Sequence, residues 1–198
     1  MLYNVVFILG KVGSGKDTLA KILKTDYDFE IFHYGDRLKS VLEFAGWDGK
    51  KDLKGRKLLQ NIGLAFRNYD INHWVDWMFE DIVDYIEYQI VDQRRKVINL
   101  CIADVRHPNE ISRFKELMEK EAGENSKLTV KYVTIRVTGP NHDDNREMDQ
   151  DTLKDISETA MDNYRVDYLV MNVAEIANLK MLIDDIVKEE FGDQIRVD

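Results

Sequence analysis

The first residues with the potential for chemistry are Gly10, Gly15 and Lys16, which fit the pattern Gly-x-x-x-x-Gly-Lys. They follow the apolar run 5–9 and open an amphipathic stretch, so the sequence predicts a turn between a strand and a helix. In such a turn the glycines let backbone N–H groups point inward around phosphate oxygens, and the helix adds its positive N-terminal end. A lysine in the position of Lys16 reaches the β- and γ-phosphates of a nucleotide. The pattern therefore predicts a phosphate-binding loop; the alternative is a tight strand–helix connection and nothing more.

A second group of polar residues begins at Asp104, directly after the apolar run 97–103. In nucleotide-binding proteins with such a loop, an aspartate at the end of a buried strand holds Mg²⁺ directly or through water. Val105 follows, where ATP-hydrolysing proteins of this kind usually place a glutamate that activates water, so transfer to a bound acceptor is favoured over hydrolysis. Arg106 then lies near the expected phosphates. The alternatives are a helix or turn cap for Asp104 and a salt bridge to Glu110 for Arg106.

A polar helix face is predicted between about residues 56 and 67. Four residues at steps of four, three and four share that face, namely Arg56, Gln60, Gly63 and Arg67. The guanidinium groups would suit a phosphate and the glutamine amide a base, if the face lines a pocket. The alternative is an ordinary solvated helix face. The turn 35–39, which follows the second predicted strand, is a further candidate.

The elements that must position these residues alternate between strand and helix patterns. Strands are predicted at about 3–9, 30–34, 97–103, 128–137 and 167–172, and helices at about 16–24, from 36, 56–67, 72–93, 109–120 and 174–190. This alternation predicts an α/β fold with a central parallel sheet of about five strands and helices on both faces. Ligands of such sheets bind beyond the carboxyl ends of the strands. Four polar or glycine positions fall at such ends: Gly10, Asp104, Thr138 and Asn172.

The composition restricts the class of protein. The chain has 198 residues, of which 44% are hydrophobic and 33% charged, so it is long enough for one domain with a full core. Its net charge of −9 gives no general attraction for nucleic acid or anionic membranes, and we expect neither as a partner. The single cysteine, Cys101, excludes an internal disulfide. Neither a secretory signal pattern nor an apolar run long enough for a bilayer is found, so we expect a cytoplasmic protein.

The ordered set of motifs resembles that of the phage-type deoxynucleoside monophosphate kinases, a family of P-loop kinases. The motifs that carry the resemblance are, in order, Gly15-Lys16-Asp17-Thr18, Asp36-x-Leu38-Lys39, Leu59-Gln60-x-x-Gly63-x-x-x-Arg67, Trp74-Val75, Asp104-Val105-Arg106-x-Pro108-Asn109-Glu110 and Ser157-Glu158. The strict loop pattern wants Ser or Thr after the lysine; the Asp-Thr found here resembles the small-molecule kinases. The chain departs from the family at Asp155, where a histidine is frequent, and at Arg37, where a proline is frequent.

This resemblance, which spans about residues 3 to 172, implies both a fold and an activity. The fold would be a three-layer P-loop kinase domain over residues 1–198. It would have an acceptor-binding helical region at about 36–93 and a mobile lid at about 139–157. The activity would be transfer of the γ-phosphoryl group of ATP, with Mg²⁺, to a deoxynucleoside monophosphate, giving the diphosphate and ADP. Homodimers are implied as well, in the host cytoplasm if the chain is phage-encoded.

Each candidate residue then has an expected role in phosphoryl transfer, where the protein mainly positions and neutralises. The residues expected to bind ATP are Gly13, Ser14, Gly15, Lys16, Asp17, Thr18 and Arg136. Those expected to bind the acceptor are Val12, Leu38, Lys39, Arg56, Gln60, Arg67, Trp74 and Asp104. Those expected to act on the transferred group are Lys16, Arg67, Arg106, Arg136 and Arg146, the last two as the lid closes. Those expected to hold the metal, directly or through water, are Asp104 and Thr18.

Two other classes of function remain open at this point. One is another small-molecule kinase, such as an adenylate kinase or a phosphomevalonate kinase-like protein, which shares the Gly-Lys-Asp loop. The other is a non-catalytic module that senses nucleotides. A GTPase switch is disfavoured because the chain contains no Asn-Lys-x-Asp motif for reading guanine.

Overall fold

The computed structural model describes residues 1–123, 128–139, 159–172, 176–192 and 195. The strands are β1 (Leu2–Leu9), β2 (Phe29–His33), β3 (Val97–Val105), β4 (Thr129–Thr138) and β5 (Tyr168–Met171). The helices are α1 (Lys16–Tyr27), α2 (Gly35–Phe44), α3 (Leu53–Tyr69), α4 (His73–Val91), α5 (Pro108–Ala122) and α6 (Ile176–Phe191). These elements alternate along the chain as the sequence pattern predicts.

The five strands form one parallel sheet in the order β2-β3-β1-β4-β5. β1 lies in the middle, paired with β3 on one side and with β4 on the other. Because all strands run the same way, the loops after β1, β3, β4 and β5 gather at one edge of the sheet. The predicted α/β class and parallel sheet are confirmed.

Helices cover both faces of this sheet. Alternate residues of β1 point to opposite sides, since Val6 and Ile8 pack with α1 and α6 whereas Val5 and Phe7 pack with α4 and α5. The residues of β1 from Val5 to Leu9 are all apolar and at most 1% exposed. Burial on both faces explains why the sequence of this central strand is a continuous apolar run. The three layers predicted from the sequence are confirmed.

The α2–α3 connection (residues 45–52) folds back onto the first turn of α3. Asp52 caps the helix, because its carboxylate accepts a hydrogen bond from the Gly55 N–H at 2.8 Å. A Cβ at Gly55 would lie 1.9 Å from the Lys50 carbonyl oxygen, so only glycine allows this close approach. The cap also explains why α3 begins before residue 56, where the apolar pattern alone would start it.

β3 is longer than predicted. The sequence pattern ends the strand at Ala103, whereas pairing with β1 continues to Val105.

No helix of the described ranges combines the length and apolarity needed to cross a membrane. The predicted lid at 139–157 lies, apart from Gly139, outside the residues that the structure describes.

Candidate active site

The predicted phosphate loop, residues 10–16 and called the phosphate loop below, joins the end of β1 to the start of α1. Gly13 has φ +79° and Gly15 has φ +97°, values that side chains other than glycine rarely adopt. The first helical hydrogen bond runs from the Leu19 N–H to the Gly15 carbonyl at 3.0 Å. The N–H groups of the three residues before Leu19 have no acceptor within the helix, so they are available to an anion at the helix N-terminus.

The residue that follows β5, Asn172, also contacts the loop. The Asn172 side-chain amide donates a hydrogen bond to the Ser14 carbonyl at 3.1 Å. A Cβ at Gly15 would lie 2.2 Å from that amide nitrogen, so the amide can take this position only beside a glycine. The Ser14 hydroxyl is buried and has no hydrogen-bond partner among the described residues, which leaves it for a ligand. The sequence places Asn172 at a strand end but gives no sign of this contact.

Lys16 and Asp104 form an ion pair between the loop and β3. The Lys16 Nζ atom lies 3.3 Å from the Asp104 Oδ1 atom, and the lysine side chain is 8% exposed. Arg106 contacts the other carboxylate oxygen, with Nε to Oδ2 at 3.1 Å. Burial alone would raise the pKa of Asp104, but the charges of Arg106 and Lys16 outweigh it and hold the pKa below its ordinary value. The carboxylate is therefore ionised at neutral pH.

A β-bulge directs Asp104 toward the loop. In the pairing of β1 with β3, Phe7 lies opposite Ile102, whereas Leu9 lies opposite Val105, so β3 carries an extra residue. Asp104 sits at this irregularity with φ +62°, an uncommon conformation that aspartate tolerates better than most residues. Backbone strain of this kind is concentrated at functional sites. The apolar pattern of the strand gives no signal for the bulge.

A cavity of about 200 Å³, the main cavity, opens beside this ion pair. The sequence-predicted residues that line it are Leu38, Lys39, Arg56, Gln60, Arg67, Trp74, Asp104 and Arg106. The other lining residues are Tyr34, Gly35, Lys51, Leu59, His107 and Glu110. The helix face predicted at steps of four, three and four thus turns toward a cavity and not only toward solvent. Acceptor candidates from α2, α3, α4 and β3 meet here.

Gly63 allows the guanidinium of Arg67 to lie against α3. A Cβ at Gly63 would come 3.2 Å from an Arg67 guanidinium nitrogen and 3.4 Å from Leu38. The Gly63 carbonyl also accepts a hydrogen bond from the Trp74 indole N–H at 3.1 Å. Trp74 is only 3% exposed and packs beside Phe66, so most of its surface belongs to the core and one part to the cavity wall.

Glu110 is a buried carboxyl group at the cavity, 5% exposed. Burial raises its pKa to about 7, although the N–H groups of Arg106 and His107 and the charge of Arg67 act in the other direction. The Glu110 Oε2 atom accepts those two hydrogen bonds at 2.7 and 3.1 Å, which fixes the chain between β3 and α5. The sequence suggested Glu110 only as an ion-pair partner of Arg106, and the structure instead pairs it with the arginine's backbone.

Other predicted site residues lie outside the main cavity. The Arg136 guanidinium donates hydrogen bonds to the carbonyls of Met161, Asp162 and Tyr164 at 2.6 to 2.9 Å, and it lines a second cavity of about 120 Å³. Arg106 borders both cavities. Val12, Gly13, Asp17 and Thr18 belong to the phosphate loop and the first turn of α1. Arg146, Asp155 and the Ser157-Glu158 pair lie outside the described residues.

No protein-family model and no curated protein sequence matches this chain. Three solved structures are similar along almost its whole length. The structure of TT1252 from Thermus thermophilus has a TM-score of 0.50 at 14% identity, covering 96% of this chain and 98% of that one. A dephospho-CoA kinase from Campylobacter jejuni has a TM-score of 0.41 at 13% identity, covering 97% of this chain and 100% of that one. A sugar kinase from Janibacter sp. has a TM-score of 0.40 at 12% identity, covering 96% of each chain. At this identity the likeness to TT1252 shows the fold alone.

The raised pKa of Glu110 predicts how stability depends on pH. Between about pH 4.5 and 7 the folded protein keeps a proton on Glu110 that the unfolded chain has released, so stability falls as pH rises through this range. Glu110→Gln keeps an oxygen that can accept hydrogen bonds from the two N–H groups, but its side chain neither gains nor loses a proton in this range. We expect the free energy of unfolding of the variant relative to wild type to rise by roughly 3 kcal/mol across the range. Urea denaturation at several pH values measures this difference.

Glu116→Gln is the matched control, because Glu116 lies on the same helix with a side chain 66% exposed. Its difference from wild type should stay nearly flat with pH. A flat difference for Glu110→Gln as well would contradict the assignment of a buried, neutral carboxyl group.

Proposed function

We propose that this protein is an ATP-dependent deoxynucleoside monophosphate kinase, which transfers the γ-phosphoryl group of ATP to a deoxynucleotide and releases ADP. The observation that carries the proposal is the meeting of the phosphate loop and the main cavity at the Lys16–Asp104 ion pair. A donor placed on the loop and an acceptor placed in the cavity would have their phosphates on the two sides of this pair. The resemblance of the ordered motifs to the phage-type kinases supports the choice of acceptor.

The donor side relies on charge and backbone dipoles. Lys16 would leave Asp104 and contact the β- and γ-phosphates, while the N–H groups of the first turn of α1 contact phosphate oxygens. Arg106 lies between the two cavities and would neutralise charge that develops on the transferred group. The acceptor is already a phosphate oxyanion, so the reaction needs no separate general base.

The residues present fit a Mg²⁺ ion. Among the described residues no group of three or more His, Cys, Asp or Glu side chains forms a protein-only metal site. Mg²⁺ prefers one or two carboxylates together with phosphate oxygens and water, and Asp104 offers an ionised carboxylate whose Oδ1 atom faces Lys16, which would move to the phosphates. Asp104 would hold the ion with Thr18, directly or through water. The ion would supply neutralisation of the phosphate oxygens.

The acceptor side combines cations with an apolar wall. Arg56 and Arg67 line the cavity and would bind the acceptor phosphate, since guanidinium groups match its oxygens. Leu38, Leu59 and Trp74 would pack against the sugar or base, and the Gln60 amide would read a base edge. The cavity's cations explain how a chain of net charge −9 would attract an anionic substrate locally.

The proposed closing step involves the segment after β4. Arg136 and Arg146 would approach the phosphates as a lid at about 139–157 closes and excludes water. For Arg136 this movement requires breaking its three hydrogen bonds to the 161–164 backbone. Homodimer formation, implied by the family resemblance, is likewise part of the proposal.

A panel of acceptors tests the proposed function. With ATP and Mg²⁺ we expect conversion of at least one deoxynucleoside monophosphate to its diphosphate, with a preference of about tenfold or more over the matching ribonucleotide. The apolar wall would leave a 2′-hydroxyl without a hydrogen-bond partner, which costs roughly 1–3 kcal/mol. A coupled assay with four deoxynucleotides and four ribonucleotides measures this. Activity confined to AMP would indicate an adenylate kinase, and ATP binding without turnover of any of the eight nucleotides would indicate another acceptor or a sensing module.

Removal of the loop lysine tests the donor side. We expect Lys16→Ala to lower turnover by about three orders of magnitude, or about 4 kcal/mol, because it removes the charge that binds the β- and γ-phosphates. Lys21→Ala is the control, since Lys21 lies on the same helix with an exposed side chain. Steady-state rates and circular dichroism of both variants provide the comparison. A folded Lys16→Ala protein with wild-type turnover would remove the loop from the mechanism.

A further inference from the structure

A cation that belongs to none of the recognised motifs lies at the mouth of the main cavity. Lys51, in the α2–α3 connection, lines the cavity together with Lys39 and Arg56. Its side chain is exposed to solvent, and within the described part of the chain its ammonium group forms no salt bridge. The positive charge of Lys51 is therefore available to a ligand.

Two other cations of the cavity already face carboxylates. Lys39 pairs with Asp36, with Nζ to Oδ1 at 2.5 Å. Arg106 pairs with Asp104, with Nε to Oδ2 at 3.1 Å. Each of these two cations thus has a carboxylate beside it, although Arg106 shares Asp104 with Lys16.

Arg56 and Lys51 lack such a carboxylate among the described residues. Within the described ranges the Arg56 side chain makes one hydrogen bond, which its Nε donates to the Lys51 carbonyl oxygen at 3.0 Å. The cavity mouth thus presents two positive charges without a negative partner. A phosphate monoester carries about −1.5 to −2 charges at neutral pH, so it can pair with Lys51 and Arg56 beside Arg67.

The backbone around Lys51 is fixed from both sides. Arg56 holds its carbonyl, Asp52 caps α3 directly after it, and Gly55 admits the carbonyl of Lys50 just before it. A lysine on a backbone held in this way loses less conformational entropy on binding than one on a free loop. The first turn of α3 therefore fixes the position of the Lys51 backbone.

Charged groups of the cavity and of the first turn of α1 both act on Lys51. Partial burial lowers the pKa of Lys51, and the positive charges of Lys39 and Arg56 lower it further, whereas the carboxylates of Asp104 and Asp17 oppose the shift. The charge of Lys51 therefore interacts both with the cations of the cavity and with the carboxylates of Asp104 and Asp17. An anion bound here would relieve the repulsion among the cations.

We propose that Lys51, together with Arg56, binds the phosphate group of the acceptor in the main cavity. This inference rests on the proposed function and extends it to a residue outside the recognised motifs. At that position the ammonium group reduces the repulsion between the anionic acceptor and the phosphates of ATP as the two approach.

The test compares Lys51→Met with Lys50→Met. Lys50 is the neighbouring lysine, but its side chain is 75% exposed and pairs with Asp48 at 2.8 Å. Calorimetry with inorganic phosphate, in the presence of a saturating non-hydrolysable ATP analogue and Mg²⁺, measures the affinity of the cavity for a phosphate. Steady-state kinetics measure the KM values of the deoxynucleotide and of ATP.

We expect Lys51→Met to weaken phosphate binding and to raise the KM of the acceptor by about tenfold or more, as for a lost charge-assisted hydrogen bond. The KM of ATP should change by less than about twofold, Lys51→Arg should recover most of the loss, and Lys50→Met should behave as wild type. Wild-type phosphate affinity in Lys51→Met, or an equal loss in Lys50→Met, would overturn the inference. If the wild-type protein phosphorylates no deoxynucleotide while Lys51→Met still loses phosphate affinity, the proposed acceptor is wrong and the phosphate site at Lys51 is supported.

Discussion

The ion pair between Lys16 and Asp104 is the contact on which the rest of the site depends. It joins the phosphate loop after β1 to the bulge in β3, and it forms because these two strands are neighbours in a parallel sheet. The pair keeps two largely buried charges neutralised in the absence of ligand, since an unpaired charge in this place would be costly. It also marks the boundary between the loop, where we propose that the donor binds, and the main cavity, where we propose that the acceptor binds. Arg106, bound to the same carboxylate, extends the positive charge toward both cavities.

The fold follows from the sequence to a large extent, because each strand and helix carries the apolar period of its own geometry. The run from Val5 to Leu9 predicts a buried central strand, and the apolar stripe of α4 predicts a helix packed on the sheet. Parallel order follows from the alternation of strands and helices. The extension of β3 to Val105 was not predictable, because it depends on a bulge at Asp104 whose left-handed backbone leaves no trace in the apolar pattern.

The candidate site was predictable where a motif marks it and hidden where only tertiary contacts create it. Helical spacing places Arg56, Gln60 and Arg67 on one face, and that face lines the main cavity. By contrast, the Asn172 amide reaches the phosphate loop from a strand more than a hundred residues away in sequence, and Lys51 reaches the cavity only because α3 holds its connection. The roles of all these residues in catalysis stay predictions. Spacing reveals which side chains share an element, but not which elements meet.

The central claim is that the phosphate loop and the main cavity are the two halves of one transfer site. Binding of a bisubstrate analogue, in which adenosine and a deoxynucleoside are joined through a chain of five phosphates, tests it most directly. The account predicts that such an analogue competes with both ATP and the deoxynucleotide and binds at least about a hundredfold more tightly than either. The reason is that a single molecule loses its translational and rotational freedom once while it makes the contacts of both substrates. An analogue that competes with ATP alone, at the affinity of ATP itself, would contradict the account.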